Sequence, residues 1–219
     1  MSPASSSTSQ RAFSVLQGLA RKRVPSELCE LCSASLVGEH QHLLDPRARK
    51  LFCACDACAV LFSAQSGTKY KRVPRRVLSF TDFRLSDAQW GALRLPITMA
   101  FFFHSTPDDR FLALYPSPAG VTESELELEG WNEIVRENPV LADMEPDVEA
   151  FLANRLGKLR GFARPEYYQA PIDQCYRLVG LIRTNWRGLS GGSEVWQEVG
   201  RFFAALKDRA IAVHGGARG

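Results

Sequence analysis

Cys29-Glu-Leu-Cys32 and Cys53-Ala-Cys55-Asp-Ala-Cys58 decide how this chain is read. They hold two Cys-x-x-Cys pairs, Cys29/Cys32 and Cys55/Cys58, with twenty-two residues between the pairs. Two residues between ligands let one tight turn aim two sulfurs at a single ion, and zinc favours four thiolates in a tetrahedron. A hairpin in the intervening residues would return the second pair to the first. Ala59-Val-Leu-Phe62 would continue the second pair as a helix, whose N-terminal partial charge favours thiolates. The expectation is a small four-cysteine module of zinc-ribbon or treble-clef type over residues 27–66, with Cys29, Cys32, Cys55 and Cys58 as ligands. Unliganded core cysteines are the bland alternative, and two correctly spaced pairs argue against it. A rubredoxin-like iron site is the other metal reading. Ser33 and Ala59 stand where that site carries glycines, so zinc is expected first and iron second.

Cys53 is surplus. It lies two residues before Cys55, so on a strand both face the same side. It is an alternative ligand to Cys55, a buried thiol, or a partner of His40 and His42 in a second site. The commoner role for such histidines is to satisfy hydrogen bonds of the hairpin.

Composition frames this module. The chain has 219 residues, 45% apolar and 23% charged, an ordinary globular balance with enough length for a core without disulfides. Five of the six cysteines fall between Cys29 and Cys58, which in a cytosolic setting reads as metal ligation. The longest mostly apolar run, Leu95 to Phe103, is interrupted by Pro96 and too short to span a bilayer. The first residues lack the basic start and apolar stretch of a secretory signal, so a cytoplasmic protein is expected. Charge is uneven. Residues 1–80 carry 12 Lys/Arg against 5 Asp/Glu, an excess of seven, within a total of +3. The basic stretch Lys69-Tyr-Lys71-Arg72-Val-Pro-Arg75-Arg76 leads out of the module and could meet an anion or an acidic partner face. A strand edge protected by charge is the plainer account.

Elsewhere, residues 1–9 read as a disordered tail and Gln10–Arg23 as a short helix. Residues 77–212 read as an α+β domain. Ser86 caps a short helix; Ile97–His104 and Arg110–Tyr115 are strands joined by Pro107-Asp-Asp109. Leu126-Glu-Leu-Glu129 is a third strand or the entry to a helix over Trp131, Ile134 and Val135, stopped by Pro139. Glu145-Pro-Asp147 is expected to open a helix burying Val148, Phe151 and Leu152. Two amphipathic helices finish the chain, after Pro171 and after Gly191-Gly192, and Cys175 falls on the buried face of the first. Tyr115 to Ser124 reads as a polar loop in which Ser117, Thr122, Glu123 and Ser124 could line a surface. The glycines and Arg187 before the last helix could hold an anion, although a plain helix connection explains them as well. Ser117, His104 and Asp173 can be assembled into a triad on paper, but no nucleophile elbow supports it. No catalytic set stands out.

Several blocks are familiar beyond their physics. Cys29-Glu-Leu-Cys32, His40-Gln-His42-Leu-Leu-Asp45, Cys53-Ala-Cys55-Asp-Ala-Cys58 and Phe101-Phe-Phe103 look like one poorly characterised bacterial family. So do Leu114-Tyr-Pro-Ser-Pro-Ala-Gly120, Pro171-Ile-Asp-Gln-Cys-Tyr176 and Trp186-Arg-Gly-Leu-Ser-Gly-Gly192. The resemblance covers about residues 27–208, and the family's members are encoded beside nickel–iron hydrogenase structural and maturation genes. It implies a hydrogenase-associated accessory role and carries over the cysteines as metal ligands, with no reaction attached. The leading expectation is therefore a non-enzymatic accessory protein whose zinc module docks a protein partner, a hydrogenase subunit or maturation factor. Lys69, Lys71, Arg72, Arg75, Arg76 and Arg187 are its candidate partner or anion contacts. The alternatives are a one-electron iron carrier and a zinc-ribbon binder of nucleic acid.

Overall fold

A computed structural model describes residues 27–63, 67–124, 128–157 and 164–214. The expected tail and helix before residue 27 lie outside the described residues. The structure is a mixed α+β fold built on two sheets.

The cysteine region folds first in chain order. Strands β1 (Gln41–Asp45) and β2 (Lys50–Ala54) form a hairpin that runs straight into helix α1 (Asp56–Ser63). Asp45 closes the hairpin turn, its Oδ1 accepting the Arg47 and Ala48 amides at 3.1 and 3.2 Å. Short strand β3 (Lys71–Arg72) pairs with the open side of β1, giving the order β2-β1-β3. Because side chains alternate along a strand, β1 serves two cores. Leu43 packs with Cys29, Ala54, Cys58 and Ala59, whereas Leu44 joins Val73 and Val77 in the core of the larger part.

The larger sheet contains β4 (Leu78–Phe80), β5 (Met99–Ser105), β6 (Arg110–Ser117), β7 (Gly120–Ser124), β8 (Glu149–Asn154), β9 (Glu166–Pro171) and β10 (Ile211–Val213). Their order is β10-β4-β9-β8-β5-β6-β7, antiparallel throughout except for the β10–β4 pair. Helices α4 (Ile172–Asn185) and α5 (Gly192–Arg209) cover one face. Helices α2 (Asp87–Ala92) and α3 (Leu128–Glu137), with a 3-10 turn over Pro139–Asp143, cover the other. Strand β5 shows the division. Met99, Phe101 and Phe103 enter the core with α4 and α5, while Ala100 and Phe102 face Trp90 and Trp131. Phe102 stacks on Trp131 with ring centroids 4.8 Å apart. No helix among the described residues is long and apolar enough to cross a membrane.

The expected β5–β6 hairpin, the Ser86 cap (here completed by Gln89 as a capping box), the helix stopped before Pro139 and the two terminal helices all form. Two expectations are corrected. Glu145–Asp147 opens a turn, and Glu149–Asn154 is a strand rather than a helix. All six of its residues are buried, since β8 lies between β5 and β9 and is covered on both faces. A strand buried on both faces has no alternation, and its apolar run then mimics helical spacing. Tyr115 to Ser124 is also no loop. It is the end of β6 turning tightly into β7, with Ser117 opposite Gly120 and the Ser117 hydroxyl donating to the Gly120 carbonyl at 2.9 Å.

Candidate metal centre

Cys29, Cys32, Cys55 and Cys58 converge, with their four sulfurs within 4.8 Å of one another. The first pair sits on a small turn. The Cys29 amide donates to Ala34 and the Ser33 amide to the Cys29 carbonyl, both at 2.8 Å, while Ser33 takes a left-handed φ of 61°. The second pair straddles the start of α1: Cys55 precedes it and Cys58 lies in its first turn. The Cys58 amide points at the Cys55 sulfur at 3.5 Å, and the Ala59 amide donates to the Cys55 carbonyl at 2.9 Å. Glu30 ties the two turns together. Its amide donates to the Cys53 carbonyl at 2.9 Å, and its carboxylate accepts the Cys53 amide at 2.7 Å.

These distances suit one ion. Thiolates at a zinc–sulfur distance of about 2.3 Å form a tetrahedron with edges of about 3.8 Å. The Cys32 and Cys55 sulfurs stand 3.7 Å apart. Cys29 and Cys58 are buried at 1% and 7% exposure, Cys55 is half-buried and Cys32 faces solvent. The electrostatics also call for a cation. Burial pushes the Cys29 thiol up, but the amides of Cys55, Leu31 and Cys32 and the Cys32 side chain outweigh it and bring it down to about 6. Burial first, then the thiols of Cys32, Cys55 and Cys29 and the charge on Cys29, push Cys58 up to about 12. Once the first thiolate forms, its neighbours resist ionising, and a divalent ion is what reverses that resistance. Four close cysteines of this kind can hold a metal ion.

Cys53 lies apart from the four. It is grouped with His40 and His42, and the three donors lie within 4.8 Å of one another. His42 hydrogen-bonds Asp173 at 2.8 Å, 131 residues away in sequence. No local pattern announces that contact. Cys175 is fully buried on α4, and burial holds its thiol well above the usual range.

The basic stretch stays at the surface, but most of its charges are paired with the fold's own polar groups. Lys69 pairs with Asp45 at 3.0 Å, Lys71 with Asp147 at 2.6 Å and Arg76 with Glu149 at 2.7 Å. Arg72 donates to Gln41, and Gln41 in turn donates to Asp56 at the start of α1. Arg75 lines a cleft beside His40 and His42. Arg187 folds onto the carbonyls of Thr184 and Trp186 at the end of α4. Of the polar residues between Ser117 and Ser124, Glu123 bridges Arg49 and Arg110, and Thr122 donates to Ser117. Ser117 lines a mostly apolar cavity of about 630 Å³ with Tyr115, Trp186 and Trp196. His104, Ser117 and Asp173 share no contact: His104 lies near Asp109, and Asp173 serves His42.

One family model matches residues 28–210, that of the family of unknown function DUF5947. The chain belongs to DUF5947. No curated protein and no solved structure matches it. The DUF5947 match runs from the first cysteine turn to the end of α5, so the cysteine module and the larger sheet apart from β10 fall within one family match.

Proposed function

We propose that this DUF5947 chain is a non-enzymatic accessory protein in which Cys29, Cys32, Cys55 and Cys58 hold a structural zinc ion. The module so fixed docks a protein partner. The convergence of the four sulfurs on two short turns carries the reading. With the coordination sphere closed by four protein thiolates, the ion has no open position for substrate, and its role is to fix the fold. Helix α1, which supplies Cys58, leaves Val60, Leu61 and Phe62 exposed beside the centre. Apolar side chains grouped on one exposed helix are the kind of surface a partner covers. The resemblance to proteins encoded beside hydrogenase genes points to a hydrogenase subunit or maturation factor as that partner.

Metal analysis and a visible spectrum of the protein, purified without oxygen, test the metal. Colourless zinc at the four cysteines, lost when Cys29 is replaced by Ser, is expected. A pulldown from a hydrogenase-expressing host tests the partner. Recovery of neither a hydrogenase subunit nor a maturation protein would overturn the docking role.

A second reading places iron among the same thiolates as a one-electron carrier. The solvent-facing Cys32 favours it, since an exposed ligand shortens the path for an electron. Iron with thiolate charge-transfer bands and a reversible redox change would decide for it. The nucleic-acid alternative draws little from the basic stretch, where Lys69, Lys71 and Arg76 are each held by a carboxylate of the fold.

A further inference from the structure

His42 on β1 and His40 just before it lie two residues apart, on the side of the strand from which Leu44 enters the larger core, and Cys53 lies directly opposite His42 in the hairpin register. One nitrogen of each ring and the Cys53 sulfur lie within 4.8 Å of one another. We propose that His40, His42 and Cys53 form a second transition-metal site, separate from the four-cysteine centre and seated where the module meets the large domain.

The hydrogen bonds of the two rings are those of metal ligands. Asp173, at the start of α4, holds His42 Nδ1 at 2.8 Å. A carboxylate accepting the Nδ1 proton leaves the Nε2 lone pair facing away from it, the arrangement by which proteins orient and strengthen a ligating imidazole. His40 is set the same way, with Nδ1 at 3.1 Å from the Val37 carbonyl. Its Nε2 is buried and has no hydrogen-bond partner. A buried acceptor left unpaired is destabilising, because it has given up water without a replacement. The hairpin gives this nitrogen no partner, and a coordinated ion beside Cys53 and His42 satisfies it.

Two imidazoles and a thiolate suit a borderline ion of the zinc type. Three protein ligands also leave one coordination position open. Both histidines line a cleft of about 420 Å³ between the module and α4, with Arg75, Arg177 and Arg209 on its walls against the single carboxylate of Glu39 beyond the engaged Asp173. These three guanidinium groups favour a small anion as fourth ligand on the cleft side, although Glu27 stands 3.5 Å from His40 Nδ1 and Glu30 holds the Cys53 amide.

The test is an anaerobic titration of the metal-free, full-length protein with Co(II), followed by visible absorption and native mass spectrometry. Two equivalents per chain are expected. Cys53→Ser and His42→Ala should each lose one equivalent and keep the four-thiolate bands. One equivalent in the unaltered protein, or two in both variants, would overturn the proposal. If His42→Ala does not fold, Cys53→Ser, a single-atom exchange, decides alone. Asp173→Asn should weaken the second equivalent about 10–100-fold and leave the first unchanged. Azide should shift only the bands that Cys53→Ser removes; no shift would overturn the open position. Loss of the four-thiolate bands with the other equivalent intact would instead count against the structural zinc, so the two failures are distinguishable.

Discussion

Around the four cysteines the buried apolar neighbours among the described residues are Leu43, Ala54 and Ala59, with Leu31, Leu36, Phe52 and Tyr70 only partly buried against them. The seven-stranded sheet, by contrast, buries Phe101, Tyr168 and Phe203 on one face and Phe102, Trp131 and Phe151 on the other. At about 25 cal/mol per Å² of apolar surface, a set of fully buried aromatic side chains can hold a domain against chain entropy, and so small and half-exposed a cluster cannot. The sheet domain is stabilised by the hydrophobic effect; the module needs a cross-link at its centre. An ion held by the four cysteines would supply that cross-link.

The largest effect is expected from the metal. Removing it, or replacing Cys29 by Ser, should unfold the module, since structural zinc contributes on the order of 10–16 kcal/mol to such folds. Hydrogen exchange would show β1, β2 and α1 losing protection while β5 and β8 keep theirs. Uniform loss across both parts would break the comparison, and it would mean that Leu44 and Val73 couple the two cores into one unit.

A smaller loss is expected where the two parts are joined by charge. The Glu149 side chain is fully buried, and it accepts two hydrogen bonds from Arg76, one from Gln169 and one from the Glu145 amide. Arg76 itself is 53% exposed. Arg76→Met therefore leaves a buried carboxylate without its cation and should cost about 3 kcal/mol in urea unfolding. Adding Glu149→Gln should return most of that, because the charge goes while the hydrogen bonds to Gln169 and the backbone can largely re-form. A double variant no better than the single one would show that the ion pair itself, and not the stranded charge, sets the cost.

How legible these parts were follows from the range of the forces involved. The four-cysteine set could be read because each half of it is local: two sulfurs two residues apart, twice. The Ser86 cap and the stop at Pro139 are local as well. Strand β8 was not legible, because burial on both faces erases the alternation that marks a strand. Strands β4 and β10, three residues each, are too short to show a period; β4 forms on the edge of β9, and β10 on the edge of β4. The partners of Lys71, Arg76 and His42 were hidden for a different reason. Asp147, Glu149 and Asp173 lie 76, 73 and 131 residues away, and a charge pair leaves no pattern in the chain between its members.

The sheet domain has its own tight point at the connection between α4 and α5. Gly191 has a φ of 88°, and a Cβ there would lie 2.9 Å from Val195 Cγ1 and 3.1 Å from the Trp186 ring. Gly191→Ala combines a left-handed backbone with a steric clash and should cost about 2 kcal/mol. Thermal unfolding of the sheet domain should register it, while cobalt uptake by the four cysteines stays unchanged. A drop in that uptake would show that strain at α5 reaches the module.

The smallest effect lies in the module alone and has the opposite sign. Ser33 follows Cys32 at a φ of 61°, a conformation that costs an L-residue about 1–2 kcal/mol and glycine almost nothing. Its side chain is exposed, so little is lost by removing it. Glycine also gives the unfolded chain more freedom, which takes back about 0.5–1 kcal/mol. Ser33→Gly should therefore stabilise the first cysteine turn by about 0.5 kcal/mol. That is roughly a twofold gain in affinity of the four-cysteine centre for Co(II), measured by competition with a chelator, since metal binding and folding of this turn are one equilibrium. The melting of the sheet domain should not move. If affinity stays the same while the module gains hydrogen-exchange protection, the turn is already formed before the ion arrives, and the module owes less to its metal than its sparse core suggests.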